Sequence, residues 1–164
     1  MKKICLILMS ILILSSCSEN VSKKSNNVSD ATNEVVSNEK SDVAILSEAI
    51  LSDSLNADLY VQRARVNLAN EKISNAIRDI NSALSIDKKN IEALLVLADI
   101  YYALGDEDNI LLTLNKANEY APLDTRPIIK LSELSFLQGN FRMAGAYVDK
   151  ALEMDKYNPK AYYM

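Results

Sequence analysis

The chain has 164 residues, enough for one domain of ordinary size, and its three Gly and three Pro supply too few breakers for a turn-rich all-β fold. The formal charge of −4, with acids and bases interspersed, offers no concentrated basic face and so argues against nucleic acid as a partner. His is absent, which removes Ser-His-Asp and Cys-His catalysis and every His-containing metal site.

Met1, Lys2 and Lys3 form a short basic start, and residues 4–14 are an apolar run. The run is too short to span a bilayer, which takes about 20 apolar residues, and has the layout of a secretory signal. It ends at Leu14-Ser15-Ser16-Cys17. An aliphatic residue, two small residues and a Cys resemble the lipobox of bacterial lipoproteins. The resemblance implies a signal peptide over residues 1–16 and acylation of Cys17, which becomes the first mature residue. Anchoring at Cys17 then needs more than one acyl chain, because a single chain holds only marginally. A plain secreted protein with a free Cys17 is the alternative. Cys5 leaves with the signal and Cys17 is taken by lipid, so no disulfide is expected and stability must come from packing. Ser18 after Cys17 is similar to an outer-membrane sorting pattern, and the expected location is the outer membrane, facing the periplasm or the cell surface.

Residues 18–41 are Ser/Asn-rich, without an aromatic residue, Leu, Gly or Pro. Such a segment cannot bury enough apolar surface to offset chain ordering, so residues 17–41 are expected to be an acylated Cys and a flexible tether. As a random coil the tether spans roughly 25–30 Å.

Residues 42–56 carry Leu46, Ala49 and Ile50 at helical spacing, which predicts a partial or capping helix. Ala49, Ala83, Ala117 and Ala151 then recur every 34 residues, as do Asn56, Asn90, Asp124 and Asn158. The frame divides the chain into units 57–90, 91–124 and 125–158, with 159–164 starting a fourth. Each unit predicts two amphipathic helices. Tyr60, Ala64 and Leu68 precede Ala76, Ile80 and Ala83; Leu94, Leu97 and Tyr101 precede Ile110, Leu114 and Ala117; Ile128, Leu131 and Leu134 precede Ala144, Val148 and Ala151. Gly105 suits a left-handed helix end with Asp106 as the next N-cap, Gly139-Asn140 repeats that turn, and Asn70-Glu71 occupies it without Gly. Asn56 is the N-cap of the first unit, Thr125 is placed to cap the third, and Asn158-Pro159 reads as cap and first helical residue.

These residues resemble the tetratricopeptide repeat (TPR), a 34-residue helical hairpin. Residues 91–124 match it at Leu94, Leu97, Ala98, Tyr101, Gly105, Leu114, Ala117 and Pro122, and depart at Ile110. The third unit matches at Leu131, Ser132, Gly139, Ala144 and Ala151, and departs at Ser135 and Lys156. The first matches at Tyr60, Ala64, Ala76 and Ala83, and departs at Arg63, Asn67, Glu71 and Lys88. The resemblance implies an all-α, right-handed solenoid of antiparallel helix pairs over residues 42–164, in which first helices line a groove. Carried over by position, the candidate groove is Arg65, Leu95, Asp99, Tyr102, Arg126, Ile129, Lys130, Glu133 and Phe136. Tyr102 and Phe136 are 34 apart and are either exposed anchors for a peptide or packing against a neighbouring repeat. Arg65, Arg126 and Lys130 offer a loose site for an acidic segment. Arg126 and Lys130 match the third-repeat basic positions of the family's carboxylate clamp, whereas Val61, Arg65 and Val96 do not match the rest of it.

No catalytic group has a partner, so an enzyme is not expected; neither is a cofactor or metal. The expected partner is a protein or peptide in the envelope, with the membrane reached through Cys17. The expected function is a membrane-anchored scaffold or assembly factor. The alternative is a fragment of a larger helical-repeat lipoprotein for nutrient uptake or outer-membrane barrel assembly. The apolar end Ala161-Tyr162-Tyr163-Met164 agrees with a fragment, a frayed cap or a terminus packed on a partner.

Overall fold

The structure is a computed structural model that describes residues 41–164. The expected signal peptide, Cys17 and the tether up to residue 40 lie outside the described residues. The helices are α1 (Asp42–Ser52), α2 (Ala57–Ala69), α3 (Ile73–Ile86), α4 (Ile91–Leu104), α5 (Glu107–Tyr120), α6 (Thr125–Leu137), α7 (Phe141–Met154) and α8 (Pro159–Tyr162). First helices begin at Ala57, Ile91, Thr125 and Pro159, and second helices at Ile73, Glu107 and Phe141, so the frame holds to the residue.

Local chemistry explains that regularity. Asn56, Asn90, Asp124 and Asn158 each precede a first helix, and each side-chain oxygen accepts a backbone N–H of the first turn. Asp124 therefore caps α6, not Thr125. The Thr125 hydroxyl oxygen instead accepts from Asn158 Nδ2 at 2.9 Å, joining one cap to the next unit. Asp106 and Asn140 cap α5 and α7, while Lys72 at the start of α3 makes no side-chain cap.

The turn inside each hairpin is the same double hydrogen bond three times over. Lys72 N donates to Asn67 O, Asp106 N to Tyr101 O and Asn140 N to Ser135 O, at 2.8–2.9 Å. Glu71 N, Gly105 N and Gly139 N donate to the carbonyls three residues back, which completes the Schellman pattern. The residue between must be left-handed: φ is 58° at Glu71, 69° at Gly105 and 73° at Gly139. Glu71 thus holds a conformation that costs a side-chain-bearing residue about 1–2 kcal/mol.

Helices pair as α2 with α3, α4 with α5 and α6 with α7; α3 stacks on α4, α5 on α6, and α1 covers α2. Small residues sit where backbones approach. Ala64, Ala98 and Ser132 are buried on the first helices, and Ala83, Ala117 and Ala151 on the second. The Ser132 hydroxyl donates to Ala144 O at 2.9 Å, so its burial leaves no unmet donor. Ile80, Leu94, Ile100, Leu114 and Ile128 fill the spaces between, each contributing roughly 1.5–3 kcal/mol by leaving water.

One hairpin is built differently. Arg63 Nε and Nη2 donate to the two oxygens of Asp79 at 3.0 and 2.6 Å, and Arg63 Nη1 donates to Ser47 Oγ at 3.0 Å. Asn67 Nδ2 adds a bond to Asp79 Oδ2 at 2.9 Å. Asp79 and Asn67 are buried, and Asn67 Oδ1 has no partner. The Asp79 hydrogen bond, ahead of the opposing cost of burial, holds the Arg63 guanidinium more firmly protonated than usual. A buried fork thus stands where the next unit carries Leu97 and Tyr101, each packed against an apolar cluster, and it ties α1, α2 and α3 together.

Candidate binding face of the first helices

α2, α4 and α6 lie side by side, and side chains from their common face reach across from one unit to the next. Arg65 on α2 donates to Glu92 on α4 at 2.5 Å. Arg126 on α6 donates to the same Glu92 and, at 2.7 Å, to Asp124. Lys130 on α6 pairs with Asp99 on α4, and Lys160 on α8 with Glu133 on α6 at 2.6 Å. Arg126 holds the Asp124 carboxyl below the usual carboxylate range, chiefly through their side-chain hydrogen bonds, and is itself held more firmly charged by Asp124 and Glu92.

Two hollows adjoin along this face. One, of about 360 Å³, is bounded by Tyr102 on α4, Ile110 and Leu114 on α5, Leu134, Phe136 and Leu137 on α6, and Met164 beyond α8. The other, of about 370 Å³, is bounded by Arg65, Glu92, Leu95, Arg126, Ile129 and Lys160. Asp99 and Lys130 line both, so their ion pair lies where an apolar hollow meets one edged by charged side chains. Tyr102, Phe136 and Leu137 are 58%, 52% and 61% exposed. Phe136 meets Phe141 of α7 edge-on, with ring centroids 5.3 Å apart. Among the described residues no group of carboxylates or thiols could hold a metal ion, and no helix is long and apolar enough to cross a membrane.

No protein-family model matches this chain, and no curated protein matches it either. Solved structures do. A tetratricopeptide repeat protein from Parabacteroides merdae is 25% identical with a TM-score of 0.60, over 71% of this chain and 46% of that one. TTC0263, a thermophilic TPR protein of Thermus thermophilus, is 17% identical with a TM-score of 0.65, over 73% and 66%. YrrB, described as a TPR protein with an unusual peptide-binding site, is 16% identical with a TM-score of 0.61, over 73% and 61%.

The fold is of the TPR type. Its frame says why two expected groove residues are not presented outward. Leu95 and Ile129 occupy the fifth position of their TPR units, as Val61 does in the first, and all three are buried. Leu95 packs with Leu131 and Leu134 of the next unit, and Ile129 with Ala161 of α8. That position packs toward the next unit, so Leu95 and Ile129 form the floor of the face and line the second hollow from below.

Arg65, Arg126 and Lys130, the expected site for an acidic segment, share the face, and each is paired there with a carboxylate of its own chain. Position 9 of the frame carries Arg65, Asp99 and Glu133, and position 2 of the following unit carries Glu92, Arg126 and Lys160, opposite in sign at each step. Two of these couples, Arg65 with Glu92 and Glu133 with Lys160, form ion pairs, whereas Arg126 pairs with Glu92 and Asp124, and Asp99 with Lys130. Tyr102, Phe136, Asp99 and Glu133 remain at the surface where a partner can reach them. Leu137, the groove-facing position after Phe136 in the frame, lines the same hollow.

Proposed function

We propose that this chain is a lipid-anchored TPR scaffold that holds a peptide or protein partner in the bacterial cell envelope without catalysing a reaction on it. The observation that carries the binding half is the apolar hollow at Tyr102, Phe136 and Leu137, which three helices hold open beside neutralised charges. YrrB, of the same fold, is described as having a peptide-binding site, which supports reading this face the same way. The anchoring half rests on Leu14-Ser15-Ser16-Cys17 following the apolar run.

Cys17→Ser should abolish metabolic labelling with a fatty acid and release the protein from the membrane fraction. Labelling that persists in the variant contradicts the anchor. The binding half predicts that a photo-reactive group at position 102 captures a partner in intact envelopes.

A further inference from the structure

The charges of the face decide what kind of partner it selects. Four bases, Arg65, Arg126, Lys130 and Lys160, meet four acids, Glu92, Asp99, Asp124 and Glu133, within the chain itself. A charged ligand would meet these eight groups already paired. It would have to displace a carboxylate or a cation that is already paired, exchanging one half-exposed ion pair for another, which gains little in water. Tyr102, Phe136 and Leu137 keep more than half of their surface exposed even with Phe141 beside Phe136 and Met164 at the edge of the hollow, and the floor of Ile110, Leu114 and Leu134 is apolar. Rigid aromatic rims around an apolar floor are what buried anchor side chains of a ligand require.

From this we infer that the hollow between α4, α5 and α6 recognises an uncharged peptide segment by one or two large apolar side chains. The flanking ion pairs act as a rim that turns away net charge of either sign. This rests on the peptide-binding reading above and adds the class of ligand to it. Specificity then comes from apolar area and shape, and binding is nearly independent of salt.

Calorimetric titration of the full chain with two synthetic peptides tests the inference. Both are about 12 residues of Ser, Gln and Asn. One is blocked at both ends and carries a Leu and a Phe one helical turn apart. The other replaces them by Ser and ends in Asp-Glu with a free carboxylate. The blocked apolar peptide should bind saturably, with affinity changing less than about twofold between low and high salt. Tyr102→Ala and Phe136→Ala, both at exposed positions that leave the fold intact, should each weaken it about tenfold. Lys130→Gln should leave it within about twofold. Tighter binding of the acidic peptide, falling with salt, overturns the inference. So does binding of neither peptide, or undiminished binding by both alanine variants. Self-association of the chain that Tyr102→Ala removes also overturns it, the occupant then being a second copy. If neither peptide binds while photo-capture from position 102 persists, the ligand class is wrong and the scaffold reading stands. If photo-capture also fails, the scaffold reading falls with it.

Discussion

Ala117→Asp should abolish the cooperative unfolding transition of the repeat domain. Ala117 has no exposed surface, and α5, which carries it, packs between α4 and α6. Its counterparts Ala83 and Ala151 are equally enclosed. An Asp there has neither room nor a partner. It must bury an unpaired carboxylate, take up a proton to avoid the charge, or push the helices apart. Each route costs several kcal/mol, against a total stability of about 5–15 kcal/mol for a domain of this kind. Urea unfolding followed by circular dichroism is the check. The control Ala117→Ser should fall within about 1–2 kcal/mol of the native protein, because its hydroxyl can bond back to a helical carbonyl. An unchanged transition in Ala117→Asp would show that position 27 of the frame does not face the neighbouring helices.

The second large effect concerns the buried fork. Asp79→Ala leaves the Arg63 guanidinium without its carboxylate in a site only 21% exposed, and removes the one bond that Asn67 makes through its amide. A loss of roughly 3–5 kcal/mol is expected, the usual cost of stripping one partner from a buried pair. Replacing the whole network behaves otherwise. The next unit carries Leu97, Tyr101 and Thr113 at the same three places. The triple change Arg63→Leu, Asn67→Tyr and Asp79→Thr should therefore be neutral or stabilising, by up to about 4 kcal/mol, since it removes desolvated charge and the orphaned Asn67 Oδ1 together. It should also loosen α1, because Ser47 loses the Arg63 hydrogen bond that crosses to α1. Thermal melts measure the first effect, and amide hydrogen exchange in α1 the second. A native-like melt for Asp79→Ala alone would mean that the fork carries no weight in folding.

The fold was legible in the sequence because its determinants are local or strictly periodic. Asn or Asp before each first helix, a left-handed residue inside each hairpin and Ala83, Ala117 and Ala151 at one register each have a single physical use. Asp124 in place of Thr125 as a cap was the small error, and the column Asn56, Asn90, Asp124, Asn158 already held the answer. The face was less legible. Whether Leu95 is a floor or an anchor depends on how closely the next first helix approaches, which no pattern within one helix records. The neutral charge balance depends on pairings such as Arg65 with Glu92 and Lys130 with Asp99, which join residues about one unit apart whose side chains must be long enough to meet. The Arg63 fork was visible only as departures from the repeat pattern at Arg63 and Asn67. Its third member, Asp79, lies on the opposite helix of the hairpin, where the pattern makes no demand.

The central claim is that a partner is held on the α4–α6 face and not elsewhere on the solenoid. Photo-crosslinking in intact envelopes tests it most directly, with Tyr102 replaced by benzoylphenylalanine in one strain and Leu112 in another. Leu112 is 67% exposed on α5 and lies outside both hollows. The expected result is a discrete adduct from position 102, lost when Phe136→Ala is added, and none from position 112. Adducts from position 112 alone, or from both positions regardless of Phe136→Ala, would contradict it.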